Sequence, residues 1–251
     1  MALIGGAFGY HLLRRISPAG NAAALESSAY EGKSKLEVLL GHRVWDLIRR
    51  KTVLDFGCGE GHQAVELAQR GARCVVGLDI RESALSVAQA NARNAGVADR
   101  CTFTTDLAQV RADVIVSIDG FEHFSDPAGV LRAMSGVLAA EGAVLVSFGP
   151  TWYHPLGGHL FSVFPWAHLV FTERALIRWR SDFKHDGATR FSEVEGGLNQ
   201  MTIRRFERLV AASPLRFAEM ETVPIRRLKP VANRLTREWA TATIRCRLVR
   251  R

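Results

Sequence analysis

Val53-Leu54-Asp55-Phe56-Gly57-Cys58-Gly59-Glu60-Gly61 decides the fold of this 251-residue chain. An apolar run carrying one acid passes straight into a turn with glycine at every second position. A helical pattern, Gln63 to Arg70, follows. A short continuous apolar run of this kind suits a strand covered on both faces. Glycines at a strand-to-helix turn let a ligand approach the backbone closely, and the helix start offers free N–H groups. Asp79 ends the next apolar run, Arg73 to Ile80. A carboxylate there stands where ribose hydroxyls can donate to it.

Outward from this stretch, short β-rich runs alternate with helical ones from about residue 51. The expected strands are Thr52–Phe56, Cys74–Asp79, Cys101–Thr104, Val114–Ile118 and Ala143–Phe148, with Arg216–Pro224 and Thr241–Val249 closing the chain. The expected helices are Gln63–Arg70, Ser83–Ala95, Ala128–Leu138 and Thr202–Ala212. Gly71, Gly96 and Gly142 read as helix stops, and Asp126-Pro127 reads as a cap followed by a first-turn proline. The alternation implies an α/β fold, Rossmann-like and doubly wound, with a mostly parallel seven-stranded sheet. Right-handed crossovers bring the strand C-termini to one rim, where ligands bind. Residues 1–50 read as an N-terminal helical cap, with Ser34–Leu40 and Val44–Arg50 the clearer pieces, and 51–251 as the main domain. Residues 150–190, rich in aromatics and histidine, are too long for an ordinary crossover and read as a lid over the rim.

The turn spells G-x-G-x-G, whereas the dinucleotide fingerprint is G-x-G-x-x-G. With Asp55 just before it, the segment Lys51 to Gly149 resembles the class I S-adenosylmethionine (SAM)-dependent methyltransferases. The resemblance implies SAM as cofactor. Gly57, Gly59 and Gly61 would form the turn under its methionine part, and Asp55 would hold the ammonium group. Asp79, with Ile80 beside it, would take the ribose hydroxyls. Asp106 would meet the adenine amino group, with Leu107 on the ring, and Asp119 would close the fourth strand near the ligand's amino end. For Asp106 a plain loop-capping role competes.

Asp119-Gly120-Phe121-Glu122-His123-Phe124 resembles the glutamate–histidine signature of small-molecule methyltransferases such as the quinone methylases. It is unlike the Asn/Asp-Pro-Pro-Tyr/Phe motif of enzymes that methylate nucleobase amines, which argues against a nucleic-acid acceptor. The implied reaction is methyl transfer to a small molecule, foremost at oxygen. His123 is a candidate general base, because an unperturbed imidazole titrates near neutrality. Tyr153, His154 and His159 follow the fifth strand and are candidates for acid–base or orienting roles. A packed lid whose histidines only satisfy backbone groups is the alternative. A divalent-ion site from Asp119, Glu122, His123 and His159 is a lesser expectation. Tyr30, Lys33 and Lys35 are candidates to close over the site.

Composition fits a globular protein: 47% apolar and 23% charged. Cys58, Cys74, Cys101 and Cys246 show no metal or redox spacing and read as reduced thiols. The net charge is +8, and residues 204–251 hold 13 Lys/Arg against 4 Asp/Glu. A basic stretch of this kind can meet a bilayer, an acidic partner or nucleic acid, or simply be solvated. The apolar stretches Met1–Leu13 and Leu156–Phe171 fall short of the roughly 20 residues a spanning helix needs. Arg14 and Arg15 follow the first stretch, the wrong order for a secretory signal. A soluble, cytoplasmic protein is therefore expected, with peripheral membrane contact left open as an alternative. The rival readings are an RNA or protein methyltransferase docking through the basic end, a SAM-binding module without turnover and, more distantly, a nicotinamide oxidoreductase.

Overall fold

Strand β1 (Thr52–Phe56) has four of its five residues buried, as a strand between two layers of helices requires. In the computed structural model, which describes residues 2–18, 32–194 and 196–251, β1 pairs in parallel with β2 (Cys74–Leu78), and β3 (Cys101–Thr104) adds beyond it. On the other side lie β4 (Ala112–Ile118) and then β5 (Leu138–Phe148), again parallel. The antiparallel strands β6 (Leu215–Pro224) and β7 (Thr241–Arg250) complete the order β3-β2-β1-β4-β5-β7-β6. The expected seven-stranded, mostly parallel, doubly wound sheet is therefore present. The order reverses between β1 and β4, so their C-terminal ends diverge into a crevice.

Side chains alternate faces along a strand, so Val53 and Leu54 feed two different cores. One face is covered by α2 (Lys35–Leu40), α3 (Val44–Ile48), α4 (His62–Gln69) and α5 (Glu82–Asn94), through residues such as Leu36, Trp45, Leu67 and Ala92. The other is covered by α6 (Pro127–Val137) and α9 (Ile203–Ala211), through Leu131, Met134 and Phe206. Asp126 caps α6 as expected, its Oδ1 accepting from the Gly129 N–H at 2.8 Å ahead of Pro127.

A third core belongs to the segment after β5. There α7 (Ala167–Val170) and α8 (Glu173–Arg180) gather Phe161, Phe171, Trp179 and Phe191. The N-terminal stretch joins it as α1 (Gly6–Ile16), a helix inside the expected cap segment for which the sequence reading set no bounds. Leu13 is fully buried, and a Cβ at Gly9 would stand 3.2 Å from that of Ala175, so α1 and α8 lie close. The cap segment is thus divided between the insertion and one sheet face.

One helix stop was misread. β5 begins at Leu138, not Ala143, because α6 ends at Val137 and Leu138 is already extended. Gly142 is needed for contact, not for capping: a Cβ there would meet Leu138 Cδ1 at 2.7 Å and the Asp113 carbonyl at 2.9 Å. Gly71 and Gly96, at φ 105° and 67°, do end helices as expected. All four cysteines are free thiols. Among the described residues no helix is long and apolar enough to cross a membrane.

Candidate active site

The glycine turn is pinned to the end of β2. Gly57 and Cys58 both donate N–H to the Leu78 carbonyl at 2.8 Å, and Gly59 N–H donates to Asp79 Oδ2 at 2.9 Å. Gly61 has φ 76°, and a Cβ on it would press to 2.7 Å from that of Ala88. Only glycine fits there. Gly57, at φ 85°, has the opposite surroundings: its missing Cβ faces space with no atom within 4 Å. A ligand can lie against the backbone at that point.

Asp55 sits beneath the turn, 3% exposed, with Oδ2 lacking any partner among the described residues. Burial, reinforced by the charge of Asp79, pushes its pKa up to about 7 against the pull of the Ala64 N–H. A buried carboxyl with one orphaned oxygen fits a ligand ammonium. Asp79 differs. Burial acts to raise its pKa, but hydrogen bonds from the Arg81 N–H, the Arg81 guanidinium and the Gly59 N–H outweigh it and hold Asp79 below the usual carboxylate range. The Arg81 guanidinium, 3.2 Å from Asp79 Oδ1, was not foreseen. It rests over the turn, 3.7 Å from where a Gly59 Cβ would be. Ile80 stands almost wholly in solvent beside Asp79. These residues fit the adenosyl amino-acid ligand: an orphaned acid, an open backbone cradle and an ionised carboxylate at the second strand end.

The adenine side is less defined. Asp106 Oδ1 accepts from the Ala108 N–H at 2.9 Å, the loop-capping role that competed for it. Leu107 is half-buried against the core. At the end of β4, Asp119 has φ 49° and binds Lys35 Nζ at 2.7 Å, so α2 reaches the rim. Lys33 is exposed, and Tyr30 lies outside the described residues.

The turn after β4 is held by a residue the sequence reading passed over. Asn199 Nδ2 donates to the carbonyls of Phe121 and Phe124 at 2.7 Å each, and its N–H donates to that of Glu122 at 3.0 Å. No spacing in the sequence marks it. His123 Nδ1 lies 2.7 Å from the Gly197 carbonyl. A carbonyl only accepts, so Nδ1 carries a proton, and in the neutral imidazole the lone pair is then on Nε2. The His159 ring stands edge-on to His123 at 5.1 Å between centroids. Its Nε2 is buried without a partner among the described residues, and burial, aided by His123, pushes its pKa down to about 4. Two histidines 36 positions apart in sequence thus meet.

Tyr153 and His154 make other contacts, although His154 is near enough to His159 to help lower its pKa. The Tyr153 ring packs on Trp239 at 4.9 Å between centroids. His154 Nδ1 accepts from the Leu156 N–H at 2.9 Å, and burial lowers its pKa to about 4. His154 closes a turn, as the packed-lid alternative has it. Leu156–Phe171 packs inward through Phe161 and Phe171. The four-residue metal set is not assembled. Asp119 turns to Lys35, Glu122 Oε1 accepts from the Gly149 N–H at 3.3 Å, and among the described residues no three potential ligands cluster. Glu122 is buried, and desolvation with the Asp119 charge raises its pKa to about 8. Its Oε2, Ser117 Oγ and Thr151 Oγ1 are further buried polar atoms without partners among the described residues.

Residues 49–150 match the family model described as a methyltransferase domain. Over that segment the chain is matched as a methyltransferase domain, and the sheet order and the glycine turn are those of the class I SAM-dependent methyltransferase fold. Among curated relatives, the ubiquinone biosynthesis O-methyltransferase of Neisseria meningitidis serogroup C (strain 053442) is 38% identical over 119 residues, 45% of this chain and 49% of that protein. The protein of the same name from Hahella chejuensis (strain KCTC 2396) is 42% identical over 100 residues, 38% and 41% respectively. The chain therefore spans about half the length of the curated relatives it matches. Among solved structures, magnesium protoporphyrin IX methyltransferase from Synechocystis PCC 6803 aligns over 98% of this chain and 95% of its own, with TM-score 0.58 and 19% identity. Mitomycin 7-O-methyltransferase aligns over 97% and 67%, with TM-score 0.56 and 16% identity. These likenesses are of fold.

Proposed function

We propose that this protein transfers a methyl group from SAM to a hydroxyl of a small molecule. The observation that carries the reading is Asp55: a buried carboxyl with one oxygen unpaired, under a backbone cradle that faces open space, at the point where strand order reverses. Bound SAM supplies an electrophilic methyl group. The chain's own part is to hold the amino-acid end on Asp55 and the Gly57–Gly61 turn, and the ribose on Asp79. His123 Nε2 takes the proton of the acceptor hydroxyl, with Nδ1 anchored on the Gly197 carbonyl. His159, uncharged at neutral pH, borders the same spot without adding positive charge. Alignment and exclusion of water supply much of the advantage in such a displacement. The relatives named as O-methyltransferases over this shared segment favour oxygen.

Incubation with methyl-labelled SAM against phenols and catechols checks the assignment. The expected result is S-adenosylhomocysteine together with a product whose carbon NMR shift is that of a methoxyl group. Tight SAM binding without turnover of any acceptor favours the binding-module reading, and a methylated carbon or nitrogen rejects the hydroxyl assignment.

A further inference from the structure

Part of the basic C-terminal region is tied to the protein itself. Arg237 binds Glu207 through both Nη atoms at 2.7 and 2.6 Å, Arg245 binds Glu221 at 2.7 Å, and Arg247 binds Glu219 at 2.8 Å. Arg250 and Arg251 donate to main-chain carbonyls. Arg226, Arg227, Lys229 and Arg234, like Arg204, Arg208 and Arg216, have no ion-pair partner among the described residues, but only these four stand together on one loop. All four lie on the connection between β6 and β7.

That connection is a fixed strap. Ile225 N–H donates to the Ala240 carbonyl at 2.7 Å and closes its base. At its end, in the short helix α10 (Arg237–Ala240), the buried Glu238 accepts from the N–H groups of Ile203 and Arg204 at 3.1 and 2.9 Å, capping α9. Asn233 Oδ1 accepts from the Leu235 N–H at 2.8 Å and shapes the tip. Held this way, the strap presents Val231, Leu235 and Trp239 to solvent at 56%, 86% and 45% exposure, among the four cations.

We propose that the strap docks the protein on an anionic lipid bilayer. Cations near the surface are drawn to acidic headgroups, aliphatic side chains between them enter the acyl boundary, and tryptophan favours the interface. A nucleic acid would use the cations but gives Val231 and Leu235 nothing to enter. The strap also continues into the acceptor side. Trp239 packs 4.9 Å from Tyr153 and 6.4 Å from Trp166, both on the segment that carries His159. Docking places that segment beside lipid, which points to acceptors that partition into membranes. This last step rests on the methyl-transfer reading; the docking does not.

Flotation of the full chain with vesicles of phosphatidylcholine, with and without phosphatidylglycerol, tests the docking by binding alone. The expected result is capture by the anionic vesicles only, reversed by high salt. Reversing the four cations together (R226E, R227E, K229E, R234E) weakens capture at least roughly a hundredfold, and Leu235→Asp weakens it about tenfold. Thermal melts report whether the variants fold. Leu235→Asp changes one exposed side chain, and the salt titration needs no variant, so the test survives misfolding of the fourfold variant. Absence of capture at low salt, or equal capture of the folded variants, overturns the proposal. So does retention of RNA, or a dimer dissolved by the same changes, in a protein that ignores vesicles.

Discussion

Along the β1–β2 side of the crevice the polar groups are placed by main chain at strand ends. Asp55 and Asp79 stand at the C-termini of adjacent parallel strands, and the turn between them is pinned by N–H bonds to Leu78 and Asp79. Along the β4–β5 side they hang on irregular chain. His123 sits on a turn held by Asn199, and His159, at φ 50°, sits on a segment with its own hydrophobic core. The first side is fixed by sheet register and therefore repeats wherever the sheet does. The second is fixed by long-range packing and belongs to this chain. Ligand affinity on the first side and turnover on the second are then separable.

Breaking the second side alone has the largest expected effect. His123→Asn keeps a donor toward the Gly197 carbonyl but removes the Nε2 lone pair. Turnover is expected to fall by about 10²–10⁴, with the SAM dissociation constant unchanged by calorimetry. Equal loss of both, in a folded variant, joins the two sides and rejects the separation.

Breaking the first side gives a smaller effect of the opposite kind. Asp79→Ala removes the acceptor for ribose and the partner of the Gly59 N–H. SAM binding is expected to weaken at least about tenfold, as loss of hydrogen bonds to a charged group implies. The melting curve should remain cooperative. Unchanged affinity refutes the ribose assignment. Arg81→Ala sharpens the test: the guanidinium on Asp79 Oδ1 should no longer need displacing, so affinity holds or tightens.

The same contrast governs what the sequence could tell. Strand ends carry local signals, since glycine spacing, the Asp55 and Asp79 positions and the apolar runs all report backbone register. The strand expectations fell within a few residues for that reason. The meeting of His123 with His159 depends on Gly197 and Asn199, far along the chain, and no periodicity encodes such a contact. Tyr153 and His154 were plausible by position after β5, yet Trp239 and Leu156 claim them. Within the helical cap expected over residues 1–50, α1 was given no bounds, because its apolar stripe matches a partner, α8, that only the fold reveals. The basic end looked uniform in sequence, and only the fold shows that Arg245 and Arg247 pair across β6 and β7 while four unpaired cations gather on the connecting strap.

The smallest expected effect probes the first side without altering it. Free Asp55 has a pKa raised to about 7, so at pH 6 it is mostly neutral. Holding an ammonium group requires the carboxylate, and binding must expel a proton. Affinity for SAM should therefore rise with pH, by about fivefold from pH 6 to pH 7, and calorimetry in buffers of different ionisation heat should register the released proton. Asp79, His154 and His159 do not mimic this. Asp79 stays ionised because its pKa is lowered, and His154 and His159 stay neutral because theirs fall to about 4. Glu122 titrates higher, near 8, and sits toward Asp119 and Lys35. Asp55→Asn should flatten the pH response and bind more weakly above pH 7. A slope that survives this change assigns the proton to another group and leaves the orphaned oxygen of Asp55 without a ligand.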